Sequence, residues 1–319
     1  MRIIVGDVHG CRDEFAELLK KVDYRPGHDD LVVLGDLIDR GPDPVGTVAL
    51  AMEMKARRVL GNHEEKALRW LAYEDRVAAE PGFRNPMEPL PDRPGPAKAH
   101  GSGSRPLSPE AEAVRQKRLE ARLARGGGPV AVQQKRKSQA PKRPIPEERK
   151  AEWRALSRAQ RAWLKASPLW LDLPGSIGSW LAVHAGFEPK PLKEQRADRV
   201  IRVRYVDPKT GDIAPYVDGT LNQPSGSILW QAAWKGPQNI VYGHAVHSRE
   251  EPRVDHIDVT DRGRFESIVC VGIDTGCCFG GRLTAMILDA FGRYRFEQVQ
   301  AKRIYCPWPG GDGTTSGDS

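Results

Sequence analysis

Four short apolar runs in this 319-residue chain each close on a glycine followed by a residue able to ligate a metal: Val5-Gly6-Asp7, Leu34-Gly35-Asp36, Leu60-Gly61-Asn62 and Tyr242-Gly243-His244. A fifth run, Ala182-Val183, leads directly into His184, and His9 lies two residues beyond Asp7, on the same side of an extended chain. Ligands that follow buried strands gather along one edge of a sheet, where α/β folds bind their substrates, and a neighbouring glycine lets backbone approach a crowded site. Asp7, His9, Asp36, Asn62, His184 and His244 offer oxygen and nitrogen only. Such a mixed carboxylate and imidazole set suits Mn, Fe or Zn better than a structural tetrahedral zinc.

The elements that must position these ligands read as alternating α/β. Apolar runs at Ile3–Val5, Leu31–Leu34, Arg58–Leu60, Trp180–Val183, Asn239–Tyr242 and Ile268–Val271 have the length and composition of buried strands. Helical patterns lie at Arg12–Val22, Asp43–Lys55, Glu64–Glu74 and Ser157–Ala166, the last opening on an N-cap serine. Leu283–Leu288 and Arg293–Gln298, joined by Asp289-Ala-Phe-Gly292, read as a hairpin. The expected fold class is α/β, a layered β-sandwich flanked by helices, with a disordered basic insert.

That insert explains the charge. The chain carries +7, but residues 85–150 hold 15 Lys plus Arg against 7 Asp plus Glu, so the remainder is close to neutral. The same stretch has 11 of the 26 prolines, Gly-Ser repeats at 101–104 and a glycine run at 126–128. It is too poor in apolar residues to offset its ordering entropy, with only Pro109–Arg125 resembling a solvated helix. It is either a basic tether for RNA, an acidic partner or a membrane surface, or a loop expansion at a surface site. The expected organisation is one domain over 1–308, interrupted at 85–150, with a flexible tail at 309–319.

The 39% hydrophobic content contains no apolar run long enough to span a bilayer. A strand beginning within the first five residues leaves no room for a signal peptide, so a cytoplasmic location is expected. Five cysteines without paired spacing argue against a disulfide framework or a zinc ribbon. The adjacent Cys277 and Cys278 read as small buried hydrophobes in preference to a redox pair.

Gly6-Asp-Val-His-Gly10, Gly35-Asp-Leu-Ile-Asp-Arg-Gly41 and Gly61-Asn-His-Glu64 resemble the signature of calcineurin-like metallophosphoesterases. The Asp39-Arg40-Gly41 form resembles the branch of serine/threonine protein phosphatases and symmetrical diadenosine tetraphosphate hydrolases. Downstream, Val183–Phe187, Val241–His244, Ile273–Cys277 and Phe279–Thr284 look like the bacterial diadenosine tetraphosphatase-like and polynucleotide-kinase-phosphatase-like members. The resemblance covers about residues 1–80 and 157–300. It implies two divalent or transition metal ions, manganese first, then Fe, Zn or Ni: one held by Asp7, His9 and a bridging Asp36, and a second by Asp36, Asn62, His184 and His244. A hydroxide bridging the two would attack phosphorus in line, with no phosphoenzyme. His63 would give the leaving oxygen its proton, Asp39 would orient that imidazole, and Arg40 would fork onto phosphoryl oxygens. A second phosphate arginine is expected at Arg202 or Arg204, with Asp274 bordering the site.

Plainer readings stand beside these. Asp39 and Arg40 could form only a turn with a surface ion pair, the alternating Arg202 and Arg204 could mark an exposed strand, and Asp274 could cap a turn before Gly276. Trp230 and Trp234 read as core, with stacking on a nucleobase the alternative. His28, His100, His247 and His256 belong to no motif and are expected at the surface. The 29 residues between His244 and Asp274, with the charged stretch Arg249–Arg264, are longer than the resemblance leads one to expect.

The expected function is hydrolysis of phosphate monoesters on proteins or nucleotides. The alternatives are a symmetrical bis(5'-nucleosyl)-tetraphosphate hydrolase and a catalytically idle scaffold recruiting acidic partners through the insert. Specificity lies in loops, so the motifs do not separate the first two. A scaffold should have lost ligands, and none of the set is missing.

Overall fold

The computed structural model describes residues 1–88, 144–175, 179–214, 223–261 and 264–308. The chain divides into two compact units, Met1–Asp75 with Glu147–Ser319, and Arg76–Pro146. In the second unit, the described Arg76 pairs with Glu80 and lies over the ring of Phe83. The expected helix at 109–125, the basic tether and the flexible tail lie outside the described residues.

The larger unit opens with β1 (Arg2–Val5), α1 (Arg12–Lys21), β2 (Asp30–Val33), α2 (Pro44–Glu53), β3 (Arg57–Arg58) and the start of α3 (Asn62–Ala79). After the second unit come α4 (Glu147–Ala155), α5 (Arg158–Lys165), β4 (Trp170–Pro174), β5 (Ser179–Val183) and α6 (Ala197–Val200). The chain continues through β6 (Tyr205–Val206), β7 (Ile228–Leu229), α7 (Trp230–Ala233), β8 (Asn239–Tyr242), β9 (Arg253–Asp261) and β10 (Arg264–Gly272). It ends in the hairpin β11 (Arg282–Leu288) and β12 (Tyr294–Gln300). Cap chemistry fixes two of the helix starts. Asp43 accepts from Gly46 N ahead of Pro44 in α2, and Ser157 with Gln160 forms a capping box on α5.

Two five-stranded mixed sheets form the frame, in the orders β12-β11-β1-β2-β3 and β4-β5-β8-β10-β9. Within the first, β1, β2 and β3 run parallel; within the second, β5, β8 and β10 do. One apolar cluster draws on both sheets: Ile4, Val32 and Met286 from the first, Ala182, Val241 and Val271 from the second. Burial between two sheets is why these strands read as continuous apolar runs and not as alternating ones. A second cluster, around Leu181, Val183, Phe187, Trp230, Trp234 and Tyr242, contains both tryptophans, so the core reading of Trp230 and Trp234 holds. His28, His247 and His256 are exposed as expected, and His100 is outside the described residues.

Three elements differ from the sequence reading. The insert was expected to run through Lys150, yet α4 begins at Glu147 and buries Trp153 completely. The charged stretch at 249–264 is mostly β9, an edge strand paired antiparallel along β10 over nine residues. Charged side chains such as Arg253 and Asp255 guard such an edge against further pairing, which hides the strand from a search for apolar runs. Strand β4, at the opposite edge of that sheet, was also not foreseen.

Candidate metal centre

The parallel strands deliver the expected ligands to one edge. Asp7 and His9 follow β1, Asp36 follows β2, His184 follows β5, His244 follows β8, and Asn62 and His63 open α3. Asp274 follows β10, the third parallel strand of the second sheet. The loops are held in uncommon backbone shapes: His9, Asp36, Asp39, Arg40 and His244 all have φ between 47° and 71°. Left-handed φ at a residue with a side chain costs energy and persists where surrounding structure enforces it, often at functional sites. Glu64 supplies such enforcement. Its buried carboxylate accepts from the N–H groups of Asp36, Leu37 and Ile38 at 2.8, 2.7 and 3.2 Å, pinning the loop after β2.

Two groups of ligand atoms share one carboxylate. His9, Asp36 and His63 form one, and Asp36, His184 and His244 the other, with all atoms of each within 4.8 Å of one another. In the first, His9 Nε2 lies 3.6 Å from Asp36 Oδ2 and 3.9 Å from Asp7 Oδ2. In the second, His184 Nε2 lies 3.4 Å from Asp36 Oδ1 and 2.9 Å from Asn62 Oδ1. His184 Nδ1 sits 2.7 Å from the carbonyl of Leu34, and His9 Nδ1 sits 3.0 Å from that of Ile38. A carbonyl only accepts, so each ring carries its proton on Nδ1 and turns the Nε2 lone pair inward. At His184 three lone-pair atoms therefore converge with no proton between them, an arrangement that a cation satisfies.

The charge states agree. Burial, reinforced by Asp274 and Asp36, pushes the Asp7 carboxyl well above its usual range. Burial likewise pushes Asp274 up to about 6, against the N–H of Gly276 and the charges of Arg40 and Arg204. Burial also acts on Asp36, but the imidazoles of His184, His63, His9 and His244 outweigh it and hold that carboxyl low. His9 and His244 are driven well below the ordinary imidazole value, chiefly by burial and then by Arg40 and Arg204 respectively. Neutral imidazoles and crowded carboxylates are the forms that bind a cation.

His63 sits differently. Its Nδ1 is 2.6 Å from Asp39 Oδ2, and its Nε2 faces Arg40 Nη2 at 3.3 Å. Arg40 also reaches His9 Nε2 at 3.0 Å through Nη1, with its guanidinium 4.9 Å from the centre of the Phe279 ring. The two later arginines part company. Arg204 Nη2 donates to the carbonyl of His244 at 2.7 Å, whereas Arg202 Nη2 is 2.5 Å from Glu65 Oε2. Asp274 both accepts from Gly276 N at 3.0 Å and lies buried beside Asp7, so its two readings coexist.

The sequence of residues 2–120 matches the model of the calcineurin-like phosphoesterase family. This stretch has the sequence of a calcineurin-like phosphoesterase domain. That family implies divalent metal ions. Over 65 residues, 20% of this chain and 30% of the relative, the protein is 48% identical to serine/threonine-protein phosphatase 1 of Salmonella typhimurium. Over 63 residues, 19% of this chain and 22% of the relative, it is 46% identical to a symmetrical bis(5'-nucleosyl)-tetraphosphatase of an Enterobacter species. The chain thus spans under a third of the length of these two relatives. A symmetrical bis(5'-nucleosyl)-tetraphosphatase of an Acidovorax species is 26% identical over 318 residues, covering 93% of this chain and 97% of that one. A crystal structure described as that of a candidate diadenosine tetraphosphatase shares the fold, with a TM-score of 0.55, 22% identity and coverage of 93% and 92%. Among the described residues, no helix is long and apolar enough to cross a membrane.

Sequence reasoning missed two neighbours of this candidate site. Trp153 Nε1 donates to Asp39 Oδ1 at 2.7 Å, and Arg149 Nε lies 3.7 Å from Asp39 Oδ2. Both stand on α4, four residues apart and hence on one face. Their segment, Glu-Glu-Arg-Lys-Ala-Glu-Trp-Arg-Ala, has the composition of a solvated helix, and its single tryptophan was the available signal.

Proposed function

We propose that the protein is a binuclear-metal-dependent phosphoester hydrolase, with Asp7, His9 and Asp36 on one cation and Asp36, Asn62, His184 and His244 on the other. The observation that carries this reading is Asp36, whose carboxylate belongs to both groups of ligand atoms. When bound, two such cations supply Lewis-acid charge to the phosphoryl oxygens and acidify a water. The remaining work falls to side chains. Arg40, already within 3.3 Å of two imidazoles, presents its fork to phosphoryl oxygens, and Arg204 fixes the loop of His244 while adding positive charge. Asp39 accepts from His63 Nδ1–H, so that the doubly protonated ring turns its Nε2–H toward the departing oxygen and delivers that proton. The catalytic domain in this reading is residues 1–308, with an insert from about residue 85 that ends before Glu147.

The substrate class we favour is a phosphate monoester of protein or nucleotide. A symmetrical dinucleoside tetraphosphate is the second reading, favoured by the Acidovorax alignment along 93% of this chain. Assays of p-nitrophenyl phosphate, a phosphopeptide and diadenosine tetraphosphate with Mn²⁺ separate the two. Turnover should vanish with chelator and in Asp36→Asn, together with metal content. Three intact substrates at high enzyme concentration would refute the hydrolase reading.

A further inference from the structure

We infer that Trp153 is a positioning residue for the proton-donating imidazole, holding Asp39 through its indole N–H so that Asp39 can hold His63; this rests on the acid role proposed for His63. Asp39 is fully buried, and both of its oxygens are occupied. Oδ1 accepts from Trp153 Nε1 at 2.7 Å, and Oδ2 faces His63 Nδ1 at 2.6 Å with Arg149 Nε at 3.7 Å. A carboxylate gripped at one oxygen can turn about its Cβ–Cγ bond. Gripped at both, it has one orientation.

The indole adds a constraint that packing alone does not. Its N–H donates and never accepts, so a proton on Asp39 Oδ1 would oppose it, and the carboxylate stays an acceptor on that side. The remaining oxygen then accepts from His63 Nδ1–H, so that in the doubly protonated ring the Nε2–H faces the site and can pass to the leaving oxygen. Trp153 can serve as a fixed point because it is itself immobilised. It is 1% exposed, and its ring lies 5.6 Å from that of Trp70, fully buried on α3. Two χ angles, both packed, leave the N–H little freedom to wander. The chain of support therefore runs from the core through Trp153 and Asp39 to His63, and α4 is its origin.

The test compares leaving groups. Trp153→Phe keeps an aromatic ring and removes the donor, and site-specific benzothienylalanine at the same position keeps the bicyclic shape and removes only the N–H. Both should lower kcat for an alkyl phosphate about tenfold while changing kcat for 2,4-dinitrophenyl phosphate by about twofold or less, because a good leaving group needs no proton. KM and metal content should stay at parent values. His63→Asn is measured alongside and should show the same leaving-group dependence with larger losses. Equal losses on both esters, or none, in the benzothienylalanine protein would overturn the inference while the His63 reading stood. If His63→Asn lacked the dependence, the acid reading itself would fall, and the role of Trp153 with it. Should Trp153→Phe not fold, the isosteric replacement decides alone.

Discussion

The backbone N–H of His244 donates to both oxygens of Asp7, at 3.0 and 3.2 Å, across 237 positions of sequence. Asp7 follows β1 of one sheet and His244 follows β8 of the other, so this contact staples the two sheets at the candidate metal centre. The staple depends on Gly243, where any Cβ would fall on Asp7 Oδ1. Gly243→Ala should therefore cost about 1–3 kcal/mol of stability from overpacking. It should also weaken metal binding by about 10–100-fold through the displaced carboxylate. Calorimetric titration of the metal-free variant with Mn²⁺ checks this, and parent-like affinity would contradict it.

The hydrogen bond from His63 to Asp39 predicts a selective defect. His63→Asn should lower turnover of an alkyl phosphate by about 10²–10⁴-fold and retain bound metal. Loss of metal would instead make His63 a ligand, as its place in the first group of donor atoms would allow.

Metal uptake should depend on pH through carboxylates, not imidazoles. Asp274, pushed up to about 6 by burial, and Asp7, raised by the same cause, keep their protons at a pH where ordinary carboxyls have lost them. A cation on Asp7 must displace its proton and disfavours the one on Asp274 beside it, so affinity rises as pH climbs through about 6. Linkage gives the sign for the metal-free protein: stability contributed by a raised carboxyl is complete below its unfolded value of about 3.9 and is lost as pH rises through the folded value. Asp36 and Asp39, both held low, act oppositely, losing stability as pH falls through their folded values. The gain in Tm on adding Mn²⁺ should accordingly grow between about pH 4.5 and pH 7. A flat gain would count against the carboxylate assignment, and Asp274→Asn should blunt the rise.

Arg202 and Arg204 stand two residues apart in different surroundings. Arg204→Ala should raise KM about tenfold by removing a charge-assisted contact beside His244. Arg202→Ala breaks a partly exposed pair with Glu65 and should alter KM by about twofold or less. Steady-state kinetics of the two variants settle which arginine meets the substrate.

Deleting residues 89–143 should spare turnover of p-nitrophenyl phosphate. A deletion carried through Ala155 also removes Arg149 and Trp153 from Asp39 and should cut turnover of an alkyl phosphate by at least about tenfold. Equal activity of the two truncated chains would show that α4 does not support the site.

The sequence by itself determined the strands that feed the site and the ligand types that follow them, because a strand buried on both faces must be an unbroken apolar run and a strand-end ligand stands next to it. It also placed Asp39 three residues from Asp36, with Arg40 beside it. It did not reveal β9, whose charged edge lacks an apolar period, or Trp153, whose helix looks solvated except at one position. Only the tertiary structure decided that Arg204 and not Arg202 lies by His244, and that Asp39 is gripped from a helix more than a hundred residues away in sequence. Local patterns record what each segment buries; which distant segments share a carboxylate is set by how two sheets close on one another, and no window of sequence contains both partners.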